Sequence, residues 1–556
     1  MIGLIAITMA GRAAAARLAA AWPAETRTYD GPARQALQRA WTQCDGLVCF
    51  LAVGATTRLI APLLDSKWFD PAVVCVDEPG RYAVALVGGH AAGANALCAR
   101  VADVLGAQAI VTTATDATGL PGLDTLGWPA EGAIAQVSRA LLDGEPVGFT
   151  ADETWPLPPL PVTVGEAGLH RIVVTDRIVP VDENTVVLRP PSLAAGIGAS
   201  RGVSAEEVLA LLDEALAVGG LSRGSVAALA TVEAKAGEEG IVEAARAGGW
   251  PLHAYPAGQL AEIDVPNPGE AALAAVGTPS VAEAAALARG DVLVVPKRKS
   301  AMATVALARI HPRGRLALVG LGPGDRDLVT PRAIEELRRA SVVVGLDQYL
   351  DQVRDVLRPG TRVLGSGLGE EERRASTAVT QARQGHAVAL VGSGDAGVYA
   401  MASPALAIAG TDIDVVGVPG VTAGLAAAAL LGAPLGHDHA IISLSDLHTP
   451  WEVIERRIRA AAEGDFVVVF YNPRSADRDW QLGAALEILA GHRPPGTPAG
   501  VVRDAFRDGQ RVLLTTLAEL DPAAVDMRSV VIVGAASTRM VAGRMITPRG
   551  YKWHPS

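Results

Sequence analysis

The sequence predicts a multi-domain α/β protein, and three observations carry that prediction. Apolar runs of four to eight residues alternate with alanine- and leucine-rich helical stretches almost throughout, the pattern of a parallel sheet covered by helices. The chain has 556 residues, of which half are hydrophobic and 19% charged. At about 150 residues per domain, that is enough for several separate cores. Finally, the strand-like runs repeatedly end in glycine-rich turns, which form ligand crevices at the carboxyl ends of strands in open sheets.

Taken in order, Leu47–Val53, Ala72–Val76 and Ala109–Thr113 read as buried strands, and Ala91–Leu105 reads as a helix. A composition break follows at Trp155-Pro-Leu-Pro-Pro-Leu-Pro161, with four prolines in seven residues, the mark of a linker or a small middle subdomain. A new unit starts near Gly196-Ile-Gly198. Its helix opens with Ser204-Ala-Glu-Glu207, a capping box in which serine and glutamate satisfy each other's backbone donors. A further αβ region begins at Leu316-Ala-Leu-Val319. The expected domains are 1–134, 135–192, 193–311 and 315–551.

Composition excludes several function classes. A formal net charge of −11 argues against DNA or RNA as a partner, since phosphates are neutralised by Lys and Arg. Aromatics at 4% leave little for base stacking. Val415–Gly436 carries no charge for 22 residues, but it holds Pro419, Pro434 and five glycines, so a strand, turn and buried helix are expected rather than a membrane span. The apolar start has its first basic residue, Arg12, after the run rather than before it, so a strand and helix are expected there, and a cytoplasmic location. Cys44, Cys49, Cys75 and Cys98 form no CxxC pair and read as core residues of a reducing compartment. His437-Asp438-His439 is the densest histidine cluster, and no metal is expected there.

The chemistry concentrates in turns. Leu318-Val-Gly320-Leu-Gly322-Pro323-Gly324 is a strand running into a loop where main chain can approach a ligand, and Pro331 suits the first turn of the following helix. It is not a GxGxxG fingerprint, because Asp325 holds the third glycine position, nor is it a phosphate-binding P-loop. Similar turns end Val388–Tyr399, with Asp395, and Val415–Ala423, with Thr422. Two more follow Phe466–Pro473 and Val530–Ala535. Together the five predict one extended small-molecule cleft.

From Arg315 to about Tyr551 these residues resemble the tetrapyrrole methylase family, whose members transfer methyl groups from S-adenosylmethionine. The likeness is greatest to the precorrin-3B C(17)-methyltransferases. Ser393-Gly-Asp-Ala-Gly-Val-Tyr399, Ser443-Leu-Ser-Asp446 with Pro450-Trp-Glu452, and Tyr471-Asn-Pro-Arg-Ser475 carry it. The resemblance implies a two-lobed αβ region and a homodimer. It also implies a cofactor pocket lined by Pro323, Ser393, Gly394, Asp395, Val398, Thr422, Ala423 and Asn472. His439 and His448 stand where apolar residues are expected.

The first 310 residues resemble the cobalt-precorrin-5A hydrolases, which open a ring lactone and release acetaldehyde. Phe50–Gly54, Arg58–Pro62, Asp70–Glu78, Gly88–Asn95 and Thr112–Asp116 carry that likeness. Gly196–Gly202, Val276–Ser280 and Lys297–Val305 resemble the same family's C-terminal domain, with Ala199 where a cysteine is expected. The resemblances together imply a bifunctional enzyme of corrin biosynthesis acting on a tetrapyrrole. The alternatives are a methyltransferase with a non-catalytic, tetrapyrrole-binding first half, or a carrier without catalysis. Asp395 and Asp446 are the candidate bases of the transferase. His90 is the candidate base for lactone opening, oriented by Asp116, and Arg58 and Lys67 are candidates to bind substrate carboxylates.

Overall fold

The computed structural model describes residues 1–66, 69–89, 92–113, 119–165, 168–270, 273–274, 277–475 and 478–550. The chain forms two compact units. The first comprises Met1–Thr154, Leu160–Pro312 and Arg358–Gly360. The second comprises Trp155–Pro159, Arg313–Leu357 and Thr361–Ser556.

Three sheets make up the first unit. β1 (Ile2–Ala6), β2 (Thr26–Thr28), β3 (Gly46–Phe50), β4 (Ala72–Val76), β5 (Tyr82–Val87) and β6 (Gln108–Ile110) form a six-stranded sheet in the order β2-β1-β3-β4-β5-β6. β1, β3 and β4 are buried along their whole length, as near-continuous Val/Ile/Leu runs require. Two expectations are corrected here. The sheet is not wholly parallel, because β4 and β5 pair antiparallel. The five residues between them cannot make a crossover, and Asp77 closes the hairpin by accepting the Tyr82 N–H at 2.8 Å. The buried strand expected over 109–113 is instead the short edge strand β6, whose first two residues are exposed. All four cysteines are buried and free, and burial pushes the Cys49 and Cys75 thiols up, keeping them un-ionised.

β7 (Ala130–Gly132), β8 (Val147–Ala151), β9 (Thr163–Val164), β10 (His170–Val174) and β11 (Thr185–Leu188) form a second sheet in the order β7-β11-β10-β8-β9. The third has the order β14-β13-β12-β16-β15, from β12 (Leu193–Ala199), β13 (Val226–Val232), β14 (Leu252–Tyr255), β15 (Val292–Lys299) and β16 (Ala303–Arg309). Ser204 caps the helix Ala205–Gly219 through the Glu207 N–H, as expected. The capping box is left half closed, however. The Glu207 carboxylate accepts from the Ser300 hydroxyl at 2.5 Å and the Met302 N–H at 2.7 Å, tying the helix to the β15–β16 hairpin.

Asp176 fastens the second sheet to the third. Its carboxylate receives a two-pronged bond from Arg309 at 2.8 and 2.9 Å and a third from the Ser192 hydroxyl at 2.9 Å. Asp176 is only 4% exposed, so truncating it would remove the two-pronged partner of the partly buried Arg309 guanidinium and the acceptor of the Ser192 hydroxyl. Asp176→Ala should cost the first unit about 3–5 kcal/mol, read as faster hydrogen exchange of β10 and β16 amides.

The second unit opens with a fully parallel sheet in the order β19-β18-β20-β17-β21. Its strands are β17 (Arg315–Gly320), β18 (Val342–Leu346), β19 (Arg362–Ser366), β20 (Ala387–Gly392) and β21 (Asp414–Val418). Thr330 caps the helix Pro331–Arg339, with Pro331 in its first turn. β22 (Gly432–Ala433), β23 (His439–Ser443), β24 (Val467–Tyr471), β25 (Pro498–Arg503), β26 (Arg511–Thr516), β27 (Ser529–Val533), β28 (Arg539–Val541) and β29 (Arg544–Ile546) follow. They form a sheet β23-β24-β27-β25-β26, in which only β23 and β24 are parallel, and a small sheet β22-β29-β28.

The uncharged stretch 415–436 becomes most of β21, a turn, the nine-residue helix Ala423–Leu431 and β22. Among the described residues, no helix is long and apolar enough to cross a membrane. The expectation of five turns in one cleft is corrected. β17, β20 and β21 end together on the parallel sheet, whereas β24 and β27 belong to the other. Those two are antiparallel, with Val533 opposite Val468, so the turn after β27 lies at the opposite end from Tyr471.

Candidate active site

The carboxyl ends of β17, β20 and β21 meet through main chain alone. β17 and β20 pair up to Gly320 and Gly392, and beyond them Gly322 and Gly394 exchange N–H···O=C bonds of 3.0 and 2.7 Å. A Cβ on Gly420 would lie 2.1 Å from the Gly394 carbonyl oxygen, and one on Gly320 would lie 2.7 Å from it. The edge therefore tolerates no side chain at these positions, and it presents peptide groups to whatever binds. Asp395 ties two turns together, accepting the Gly397 N–H at 2.8 Å with one oxygen and the Gly420 N–H at 3.0 Å with the other.

The second sheet completes the edge. The helix Ala423–Leu431 begins at Thr422, whose own hydroxyl does not cap it. Its cap comes instead from β24. The Tyr471 hydroxyl accepts the Gly424 N–H at 2.5 Å and lies 2.6 Å from Thr422 Oγ1. Burial pushes the Tyr471 phenol up, and the Thr422 and Gly424 hydrogen bonds only partly oppose it. Asn472 takes a left-handed conformation, φ 50°, and donates through Nδ2 to Ser443 Oγ at 3.0 Å. The Tyr399 ring lies 5.5 Å from that of Tyr471, and its hydroxyl donates to the Ile441 carbonyl at 3.0 Å. Arg507 reaches in from the loop after β25, with Nε bonded to the Pro323 carbonyl at 2.5 Å and Nη2 to Ser393 Oγ at 2.8 Å.

Of the residues singled out in the sequence, Pro323, Ser393, Gly394, Asp395, Thr422 and Ala423 thus come to one edge. Val398 closes the Asp395 turn through its N–H at 3.2 Å, and Asn472 follows directly on Tyr471. Asp446 bonds instead to Gln481 Nε2 at 2.9 Å. Arg507 went unnoticed in the sequence, because nothing local distinguishes it from other arginines. Tyr471 was visible only as part of Tyr471-Asn-Pro473.

In the first unit, Arg58 lies on the exposed face of the helix Val53–Ile60 and folds back onto the Gly54 carbonyl at 2.9 Å. Lys67, His90 and Asp116 lie outside the described residues. The turn before His90 is fixed through the Asn95 N–H on the Gly89 carbonyl at 3.1 Å, and Asn95 Nδ2 donates to Thr113 Oγ1 at 2.8 Å. Further on, Glu283 is fully buried and accepts from the Lys297 N–H at 3.0 Å and from Asn267 Nδ2 at 2.7 Å. Burial pushes this carboxyl up, but the combined hydrogen bonds outweigh it and hold it below the usual range. Its sequence signal was Ser280-x-x-Glu283, since Ser280 caps that helix through the Glu283 N–H. Among the described residues, no group of three or more His, Cys, Asp or Glu could hold a metal.

A parallel sheet with side-chain-free strand ends, facing a second, mostly antiparallel sheet, defines a class of small-molecule-binding α/β enzyme. Residues 315–521 match the tetrapyrrole (corrin/porphyrin) methylases, 193–308 the C-terminal part of cobalamin synthesis G, and 35–116 its N-terminal part. The chain is 47% identical over 239 residues to a probable cobalt-factor III C(17)-methyltransferase of Salmonella typhimurium, spanning 42% of this chain and 99% of that protein. It is 42% identical over 249 residues to a precorrin-3B C(17)-methyltransferase of Sinorhizobium sp, spanning 43% of this chain and 97% of that one. The crystal structure of the methyltransferase CobJ is 40% identical and fully covered, at a TM-score of 0.40 over 42% of this chain. The chain belongs to the tetrapyrrole methylase family through its second unit, with cobalamin synthesis G domains preceding that region.

The Tyr471 hydroxyl gives the unit a measurable pH dependence. The folded phenol titrates above its ordinary value of 10.0, so its contribution is fully present below about pH 10 and is lost as pH rises through the raised value. Tyr471→Phe should remove that loss. The difference in unfolding free energy between wild type and variant, followed from pH 8 to 11, should narrow at the alkaline end (on the order of the pKa shift).

Proposed function

We propose that the second unit, with residues 315–551 as its catalytic domain, is an S-adenosylmethionine-dependent methyltransferase. Its reaction is methylation at carbon 17 of precorrin-3B or cobalt-factor III, with ring contraction. The proposal assigns the domains 1–134, 135–192 and 193–311 to lactone opening and acetaldehyde release from cobalt-precorrin-5A. A cytoplasmic homodimer is part of the same reading. The observation that carries it is the edge formed by Gly320, Gly394 and Gly420, where a side chain at Gly320 or Gly420 would strike the Gly394 carbonyl, Gly394 itself sits at φ 67°, and peptide groups of three turns lie side by side.

That edge fits S-adenosylmethionine. The ligand's adenine, ribose and amino-acid parts need donors and acceptors at fixed spacing, which rigid main chain supplies without a competing nucleophile. When bound, S-adenosylmethionine supplies an electrophilic methyl carbon on a sulfonium. Pro323, Ser393, Gly394, Asp395, Val398, Thr422, Ala423 and Asn472 hold it in this reading. Asp395 spends both oxygens on N–H groups, so its role is to fix the turns. Asp446 is exposed, and its second oxygen carries no hydrogen bond among the described residues, which suits it to take the hydroxyl proton during contraction. In the first unit, His90 would activate water, Asp116 would orient it, and Arg58 and Lys67 would bind carboxylates.

Mass spectrometry of the tetrapyrrole after incubation with S-adenosylmethionine, with and without cobalt, tests the transferase. A gain of one methyl is expected, and the metal requirement separates the two substrates. Asp446→Asn should slow product formation about 100-fold or more, the scale of a lost general base. Supplying the lactone-bearing intermediate should release a two-carbon aldehyde. If protein active in methyl transfer releases none, the first unit is a tetrapyrrole-binding module instead.

A further inference from the structure

Arg507 sits between β25 and β26, 184 positions from Pro323 and 114 from Ser393, yet one guanidinium bonds both turns. Its stem crosses Gly324, where a Cβ would lie 2.3 Å from Arg507 Cγ, so the glycine at 324 leaves the path that Arg507 takes. The loop carrying it is strained. Asp504 and Phe506 both sit at positive φ, 49° and 56°, a region that a bulky aromatic rarely enters.

Hydrogen bonds to backbone and side chains hold that loop. The Asp504 carboxylate is buried and accepts from Arg528 Nε at 2.6 Å, while its N–H donates to the Arg528 carbonyl at 3.1 Å. The Phe506 N–H donates to Gln510 Oε1 at 2.8 Å, and the Arg507 N–H to the Asp504 carbonyl at 3.0 Å. Strained backbone over-determined by its surroundings is characteristic of functional sites. Here it aims a single side chain.

We propose that Arg507 is a positioning residue of the strand-end site, setting the spacing between the Pro323 and Ser393 turns that S-adenosylmethionine requires. The inference rests on the reading of those turns as the cofactor site. A guanidinium can serve two acceptors from one rigid fork, whereas an ammonium acts as a point charge and does not reproduce that geometry.

The test is calorimetric titration of the full chain with S-adenosylhomocysteine. Wild type is compared with Arg507→Ala, Arg507→Lys, Ser393→Ala and the Arg507→Ala/Ser393→Ala double variant. Arg507→Ala should weaken binding about tenfold or more, the scale of a lost charged hydrogen bond. Arg507→Lys should restore only part of the affinity. The double variant should lose less than the product of the two single losses, because both remove the same contact. In the methyl-transfer assay, KM for S-adenosylmethionine should rise by the same factor while kcat changes far less.

Wild-type affinity in Arg507→Ala overturns the proposal. If that variant fails to fold, wild-type affinity in a folded Arg507→Lys overturns it equally. No binding by wild type overturns the cofactor reading itself, which is a distinguishable result.

Discussion

The second unit is organised around a contact that leaves no room for side chains. Three parallel strands deliver Gly320, Gly394 and Gly420 to one place, and their main chains touch there at distances that a single Cβ would violate. Most of the surrounding detail follows from keeping that contact in register. The reciprocal Gly322–Gly394 bridge extends the β17–β20 pairing past the end of the sheet, and Asp395 pins the β20 turn to the β21 turn through two N–H groups. A carboxylate used this way works as a brace. The polar surface left for a ligand is therefore peptide groups, which cannot change rotamer and cannot compete as nucleophiles.

The second sheet contributes what the first lacks. A helix that starts at a threonine ordinarily caps itself, but Thr422 does not, and the phenol of Tyr471 supplies the missing acceptor from another sheet. Arg507 makes the corresponding link on the other side, with its stem over Gly324. The two lobes of this unit are thus joined at the site by hydrogen bonds to turns as well as by apolar contacts, among them the Tyr399–Tyr471 ring pair. Such bonds are directional, so they fix angles as well as distances. The first unit shows the same economy at Asp176, where one buried carboxylate joins two sheets through Arg309 and Ser192.

Much of this was legible in the sequence. The alternation of apolar and alanine-rich runs gave the αβ class, whereas the proline-rich break falls inside the second sheet, between the paired strands β8 and β9. The glycine turns after β17, β20 and β21 stand out in the sequence alone. What misled was the assumption that similar strand-ends must be neighbours. The turn after Val530–Val533 has the same look as the one after Val388–Gly392, yet β27 runs antiparallel to β24 and carries its turn to the other end of the sheet. Strand direction is a property of connections and partners. Local composition does not encode it, and hairpins such as β4–β5 betray it only through loop length. Glu207 is a similar case: Ser204-x-x-Glu207 reads as a reciprocal cap, but the acid finds a better donor pair in Ser300 and Met302 about ninety residues away.

The sequence by itself determined the αβ class and the glycines of the strand-end turns. Each depends on periodicity or backbone freedom, which are local. Only the tertiary structure decided which turns share an edge, that Tyr471 caps a helix it does not belong to, and that Arg507 spans Pro323 and Ser393. Those facts depend on through-space contacts between residues separated by 25 to 184 positions, and nothing in the neighbourhood of either partner announces the other.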